Sequence, residues 1–374
     1  MQENEIFRPT KAIIDLSAIR HNIVNLRKHL HSDVSVIAVV KANAYGHGDV
    51  QVAKEALKAG ATILAVATPE EALHLRQEIP HTPIMILGAS PIVFAPIAAK
   101  EAIILTVFSE DWVRKVSPLA KDFEQPLKVH IKVDSGMNRI GVRQEKELQA
   151  VYDAAKMVNN IEVDGIFTHF ATADEENQEQ YEMQLAIFQK MIASLPEKPR
   201  LVHAANTAAA LVKESAQFDA VRFGISMYGL APSTYIEENL PYPLKEALAL
   251  ESELVHVKKI QKGDRVGYGG TYIAKEDEWI GTLPIGYADG LLRCLSGQEV
   301  LIEGVRVPIV GRICMDQCMV RLPKKYEIGE KVTLIGKQHG NEIHIQEWAE
   351  RLQTIVYEIP CMISERVPRV YKEQ

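Results

Sequence analysis

Eight short apolar runs, at residues 36–40, 62–67, 83–87, 103–108, 129–133, 163–169, 201–205 and 221–225, restrict the fold of this chain more than any other feature. They are rich in Val, Ile and Leu and lack the strict alternation of a half-exposed strand, which is the pattern of strands covered on both faces. Helix-period segments lie between them, for example 49–59, 69–78, 144–158 and 178–194. An earlier helix begins after Asp15, a predicted N-cap, with Ile19, Ile23, Leu26 and Leu30 on one face. Eight strand–helix units over about 250 residues close a parallel (β/α)8 barrel, and right-handed crossovers put the helices outside. An open doubly wound sheet is the alternative, but it usually needs fewer strands. No G-x-G-x-x-G follows the first run, which lowers a dinucleotide-binding reading.

The pattern changes after about residue 235. Pro232, Pro241 and Pro243 mark a connector, and a short helical piece is expected at 244–250. Short alternating strands follow at 254–260, 279–284, 300–302, 307–310, 319–322 and 331–335, separated by turn signals such as Lys262-Gly263-Asp264. A strand candidate at 11–14 has no place inside the barrel and is expected to pair with this region. The predicted fold is therefore α/β: a parallel (β/α)8 barrel at 11–240, then a mostly-β C-terminal domain at 241–374, joined by residues 1–14.

Composition excludes several classes. A net charge of −7 without a dense Lys/Arg stripe argues against nucleic-acid binding. No apolar run reaches the ~18 residues of a membrane helix. Residues 1–7 are polar and acidic, unlike a signal peptide, so a cytoplasmic location is expected. Cys294, Cys314, Cys318 and Cys361 form no paired metal spacing and read as free thiols, so no metal site is expected.

Chemistry gathers where barrel strands end, which is where barrel active sites sit. The first run closes on Lys41 and leads into Ala42-Asn43-Ala44-Tyr45-Gly46-His47-Gly48. An amine held at the mouth of a pocket loses solvation and becomes a nucleophile toward an aldehyde, most often that of pyridoxal phosphate. Alone, such a lysine is usually a solvated strand end. Here Lys132 and Asp134 end the fifth run with Arg139 in the loop beyond, His169 ends the sixth, His203 to Thr207 end the seventh, and Arg222-Phe223-Gly224-Ile225 belongs to the eighth. Loops after the last two strands frequently bind phosphate, with Gly224 allowing close backbone approach and Thr207 offering a hydroxyl.

With these residues in hand, the chain resembles the alanine racemases. The resemblance rests on Val40-Lys41-Ala42-Asn43-Ala44-Tyr45-Gly46-His47-Gly48, Asp134-Ser135-Gly136-Met137-Asn138-Arg139-Ile140-Gly141 and Arg222-Phe223-Gly224-Ile225. It continues through Gly267-Tyr268-Gly269, Gly286-Tyr287-Ala288-Asp289-Gly290 and Cys314-Met315-Asp316, covering essentially the whole chain. It implies a pyridoxal 5'-phosphate enzyme that interconverts L- and D-alanine, supplying D-alanine for the cell wall. Lys41 would carry the cofactor as a Schiff base and serve as one acid/base group, with Tyr268 the other on the opposite face. A free phenol is a poor base at neutral pH, and the resemblance implies that His169, linked to Arg222, supports it. Arg222 would face the pyridine nitrogen and keep it unprotonated. Tyr45, Thr207, Gly224, Ile225 and Tyr357 match phosphate contacts, while Arg139 and the backbone near Met315 match groups holding the substrate carboxylate and the cofactor's phenolic oxygen. Lys132, carbamylated in many relatives, would orient Arg139; His203, Tyr287 and Asp316 are supporting residues. Tyr287 and Tyr357 would narrow the entrance toward small amino acids. Because Tyr268 and Met315 lie in the second domain, a head-to-tail homodimer with shared sites is implied. Thr207 stands where many relatives carry serine, and Asn138 where glycine is also common.

Rival readings are a barrel decarboxylase of basic amino acids, a serine racemase and a non-catalytic cofactor carrier. Arg222 argues against the first, since a decarboxylase places an acidic group at the pyridine nitrogen. The β domain and Tyr268 argue against the carrier, which resembles a barrel alone.

Overall fold

The computed structural model describes residues 7–373. Residues 1–6 and 374 lie outside the described residues, and with them most of the polar N-terminal stretch and the start of the expected segment 1–14. The chain divides into two compact units, Ala18–Glu246 and Met1–Ser17 with Ala247–Gln374.

After strand β1 (Lys11–Asp15), the first unit holds eight parallel strands. They are β2 (Ser35–Val39), β3 (Ile63–Val66), β4 (Ile84–Ala89), β5 (Ile103–Val107), β6 (Leu127–Lys132), β7 (Ile161–Phe167), β8 (Leu201–His203) and β9 (Ala220–Phe223). Together they form a closed barrel, shut by the pairing of Val36 with Val221 and Ile37 with Arg222. The eight apolar runs are these strands, and Val36, Ile37, Ala38, Leu64 and Val129 are fully buried because helices cover the outer face while the barrel fills the inner one. Helices Asp49–Lys58, Pro69–Glu78, Glu145–Lys156 and Glu179–Ala193 fall within a residue or two of their predicted spans. Thr68 and Glu71 form a reciprocal cap on Pro69–Glu78.

The leading helix, Leu16–His29, starts where Asp15 Oδ1 accepts the Ser17 N–H at 2.8 Å. Ile19, Ile23 and Leu26 are fully buried. On the same helix Asn22 is buried too, donating to the Met227 and Lys245 carbonyls at 3.0 and 2.9 Å and accepting the Lys245 N–H at 2.9 Å. Its amide thus satisfies three backbone groups of the segment that follows the last barrel strand.

The second unit is built on a ten-stranded sheet. Its strands are β1, β10 (Leu248–Glu253), β11 (His256–Ile260), β14 (Glu278–Leu283), β15 (Glu299–Ile302), β16 (Val305–Val310), β17 (Cys318–Leu322), β18 (Lys331–Gln338), β19 (Asn341–Ile343) and β20 (Arg369–Lys372), with β12 (Arg265–Val266) and β13 (Tyr272–Ile273) as a separate hairpin. β1 lies between β10, antiparallel, and β20, parallel. The helical piece expected at 244–250 is absent: that stretch runs into β10, where burial alternates residue by residue. Leu244, Leu248 and Leu250 fit a helical and a strand spacing equally in so short a segment, and the two flanking strands decide the outcome. The strand expected at 254–260 begins instead at His256, because Leu254 is engaged in a turn with Gly329 and Glu330. Among the described residues no helix is long and apolar enough to cross a membrane.

Replacing Asn22 by Leu keeps the volume but orphans three backbone groups. It should destabilise the barrel unit by about 3 kcal/mol, read as a lower denaturation midpoint; an unchanged midpoint would show that the amide is dispensable.

Candidate active site

Lys41 stands at the C-terminal end of β2, half-buried, and begins a turn with unusual backbone. Ala42, Asn43, Ala44 and Tyr45 all have φ of 52–53°, a left-handed turn made without glycine. Such residues cost roughly 1–2 kcal/mol each, so the turn must be held by its surroundings. The Ala42 N–H donates to Glu71 Oε1 at 2.7 Å, and the same carboxylate accepts the Ala67 N–H at 2.7 Å. Asn43 Oδ1 accepts the Asp49 N–H at 3.0 Å, and Gly46 and Gly48, both at positive φ, bring the chain back onto the Ala42 and Asn43 carbonyls. Tyr45 is thereby carried inward, its ring 5.0 Å from that of Tyr228, whose hydroxyl donates to the Val39 carbonyl. Glu71, which the sequence reading did not single out, fastens this turn from a neighbouring helix.

Across the barrel mouth, Thr207 Oγ1 accepts the Gly224 N–H at 2.8 Å. A Cβ at Gly224 would lie 2.8 Å from Tyr45 Oη and 3.5 Å from Thr207 Oγ1, so only glycine keeps the space between the two hydroxyls open. Asn206 caps the short helix that Thr207 begins, accepting the Ala209 N–H. Ile225 follows, buried, in a 3-10 turn.

Beneath this cradle Arg222 is 3% exposed and makes no ion pair with a carboxylate among the described residues. Its Nη1 donates to His203 Nδ1 at 2.8 Å; its Nη2 donates to the Thr168 and Ala204 carbonyls, both at 2.8 Å, and faces His169 Nδ1 at 3.3 Å. Among the described residues the Nε–H finds no acceptor. Burial, then the charge of Arg139, pulls the guanidinium down to about 9, so it stays charged at neutral pH. Burial and that charge in turn hold both His169 and His203 well below the ordinary imidazole range, leaving them neutral. Lys132 is buried over the Phe167 ring, donating to the Val133 carbonyl at 3.2 Å. Burial, then Arg222 and Arg139, keeps its amine well below an ordinary lysine, against the pull of Asp134. Arg139 itself is exposed, on a loop pinned where Asp134 Oδ1 accepts the Gly136 and Asn138 N–H groups and Val133 bridges Val142.

The remaining predicted residues belong to the β unit. Tyr268 sits in a turn between Gly267 and Gly269, both in the left-handed region, and is 70% exposed. A hollow of about 720 Å³ opens beside it, lined also by Arg265, Cys314, Met315, Asp316 and Gln317. Met315 is 52% exposed. The Tyr287 and Ala288 N–H groups donate to the Cys314 and Met315 carbonyls, both at 3.0 Å, so two motifs distant in sequence lie backbone against backbone. Buried Asp289 braces this contact, accepting from Arg8 and from the Gly286 N–H, while Asp316 pairs with Arg366. Tyr357 precedes the helix Glu358–Met362.

An eight-stranded barrel with a lysine-headed turn, a hydroxyl-lined cradle and a buried arginine at its rim, followed by a mostly-β domain, defines the barrel class of pyridoxal-phosphate-dependent enzymes. Comparison narrows the class. The family description "Alanine racemase, N-terminal domain" matches residues 14–232, and "Alanine racemase, C-terminal domain" matches 247–371. An alanine racemase of Anoxybacillus flavithermus is 52% identical over 371 residues, covering 99% of this chain and 96% of its own. A crystal structure of alanine racemase from Bacillus anthracis superposes with a TM-score of 0.95 at 46% identity, covering 99% and 96% of the two chains. A histidine racemase from Leuconostoc mesenteroides has a TM-score of 0.93 at 32% identity, covering 99% and 100%. The chain belongs to the alanine racemase family, a family of isomerases.

The buried histidines carry a pH signature. His130, His169 and His203 all have lowered values, burial being the first cause of each. Unfolded, each regains a pKa of about 6.5, so below that pH the unfolded chain binds protons the folded one does not. The stability they contribute is complete above about pH 6.5 and falls as pH drops further, by up to about 1.4 kcal/mol per pH unit for each. Thermal unfolding from pH 8 to pH 5 should show a plateau followed by a steep decline; a flat profile would mean that the three imidazoles are not buried neutral.

Proposed function

We propose that this enzyme interconverts L- and D-alanine by moving protons on opposite faces of Cα. Bound pyridoxal 5'-phosphate would supply an aldehyde and a conjugated electron sink that acidify the Cα proton of an amino acid. The residues fit that group. Tyr45 Oη and Thr207 Oγ1 flank a gap that a Cβ at Gly224 would fill, with the backbone of Gly224 and Ile225 beside it, as a phosphate requires. Tyr357 is assigned to the same phosphate. The Arg222 Nε–H, with no acceptor among the described residues, is suited to a ring nitrogen.

That guanidinium is the observation that carries the reading. A charged arginine donates to a ring nitrogen and keeps it unprotonated, which weakens the electron sink and favours simple proton return over transamination. Lys41 Nζ would hold the cofactor at its aldehyde carbon and serve as one acid/base group at Cα; Tyr268 Oη would serve as the other on the opposite face, supported by His169. Arg139 and the backbone near Met315 would hold the substrate carboxylate and the cofactor's phenolic oxygen, and Tyr287 with Tyr357 would narrow the entrance. Burial and the neighbouring arginines make proton loss from the Lys132 amine easier. Its uncharged form would add to carbon dioxide, the N–C bond forming with loss of a proton, and the resulting anion would orient Arg139. The exposure of Tyr268 and Met315 beside a large hollow supports a head-to-tail homodimer in which each β domain completes its partner's site. In this reading D-alanine is made in the cytoplasm for peptidoglycan.

The test is L-alanine in deuterium oxide with cofactor-loaded protein, followed by optical rotation and the Cα proton signal. Rotation should vanish as deuterium enters Cα, without pyruvate or carbon dioxide. Serine and histidine belong in the same assay, since the histidine racemase shares this fold; faster exchange of either would replace alanine as substrate. Borohydride reduction should leave the cofactor's mass on the Lys41 peptide. Tyr268→Phe should keep the cofactor's absorbance but lose roughly 100-fold or more in turnover; full activity would remove the two-base assignment. Gly224→Ala should weaken cofactor binding by about tenfold or more through the close contact with Tyr45 Oη, measured as the cofactor concentration that restores half-maximal activity.

A further inference from the structure

We propose that Asp164 and His130, buried on β7 and β6, are positioning residues that fix the hydrogen-bond polarity of His203 and so hold Arg222 in its working orientation. The inference rests on the role given to Arg222 above.

Four side chains form an unbroken line across neighbouring strands. Arg222 Nη1 is 2.8 Å from His203 Nδ1, His203 Nε2 is 2.9 Å from His130 Nδ1, and His130 Nε2 is 3.2 Å from Asp164 Oδ2. All four residues are at most 3% exposed. Outside the line, Arg200 Nε and Nη2 each donate to the Asp164 carboxylate at 2.7 Å. Room for His130 depends on Gly165, where a Cβ would lie 2.7 Å from its ring. Phe167 stacks on His203 at 4.7 Å and 9° and sets that ring's plane.

The protons follow from donor and acceptor capacity alone. A guanidinium only donates, so His203 Nδ1 must present a lone pair. Neutral His203 then carries its proton on Nε2 and donates it to His130 Nδ1. His130 must accept there, which puts its own proton on Nε2, directed at Asp164. A carboxylate accepts without donating, and it is the one member that can end such a chain. Protonating both nitrogens of His130 would reverse the His203 tautomer and turn an N–H against an N–H of Arg222. Asp164 therefore dictates, through two imidazoles, what the arginine meets.

Asp164→Asn keeps the shape but removes that direction, because an amide can turn its NH₂ toward His130. The expected result is a fall in kcat of about 10–100-fold, in the range of lost supporting contacts in active sites. KM for alanine should be nearly unchanged, the cofactor's absorbance should shift, and more pyruvate should form per racemisation as the amino group is left on the cofactor. Arg200→Ala removes the same ion pair but leaves the carboxylate, and should retain turnover close to that of the unaltered enzyme. A merely structural role predicts the reverse: similar losses of thermal stability in both variants, with an unchanged spectrum and product ratio. Should the Asn variant fail to fold, nitrogen NMR of histidine-labelled holoenzyme decides the matter, expecting one proton on Nε2 of both His130 and His203. A proton on His203 Nδ1, or wild-type kcat and absorbance in Asp164→Asn, overturns the proposal. Failure of the unaltered enzyme to racemise any amino acid would instead overturn the functional reading and leave the tautomers testable.

Discussion

A guanidinium that stays charged at neutral pH lies inside the barrel mouth with no carboxylate among the described residues against it, and most of the site is arranged around that fact. Desolvating such a charge costs several kcal/mol even after the protein relaxes. Arg222 offsets the cost with carbonyl oxygens at the ends of adjacent strands and with imidazole lone pairs. Strand ends can supply this because a parallel barrel directs its last carbonyls toward one rim. Burial and the same charge hold His169 and His203 well below the ordinary imidazole range and the Lys132 amine well below an ordinary lysine. Burial and one cation thus bias their neighbours toward the uncharged form, which suits nucleophilic and proton-transfer work better than the protonated one.

The two units solve different problems. In the barrel the reactive groups stand on strand ends or on turns tied to them, so their positions are defined by packing of the core. The strained turn after Lys41 is the exception, and it is fastened by Glu71 from one side and Asn43 from within. In the β unit Tyr268 rides on a glycine-flanked turn at the surface, positioned by backbone conformation rather than by burial.

Much of this was legible in the chain. Barrel strands read clearly because two covered faces leave an unbroken apolar run; glycine at 224 was only a weak sign of close approach, since a turn would explain it as well. The segment at 244–250 misled because three leucines satisfy two periodicities, and only pairing with β1 and β18 settles it. The left-handed turn could not be foreseen: alanine and tyrosine rarely take positive φ, and the force that holds them there comes from a helix some thirty residues on. His130 and Asp164 were equally silent. Each looks like an ordinary polar residue within a strand, and their meaning lies in strand-to-strand register, which neither composition nor spacing reports.

The placement of β1 has a consequence for how the molecule is made. Lys11 pairs with Glu251 and Ala12 with Arg369, so β1 is translated long before either of the strands it lies between. The barrel, closed by segments 35–39 and 220–223, can complete itself while the C-terminal third is still unsynthesised. During that interval an apolar strand, Ala12-Ile13-Ile14, is left with both edges bare. Truncation near the C-terminus removes β20 alone yet strips one edge from β1, so damage at one end of the chain is felt at the other.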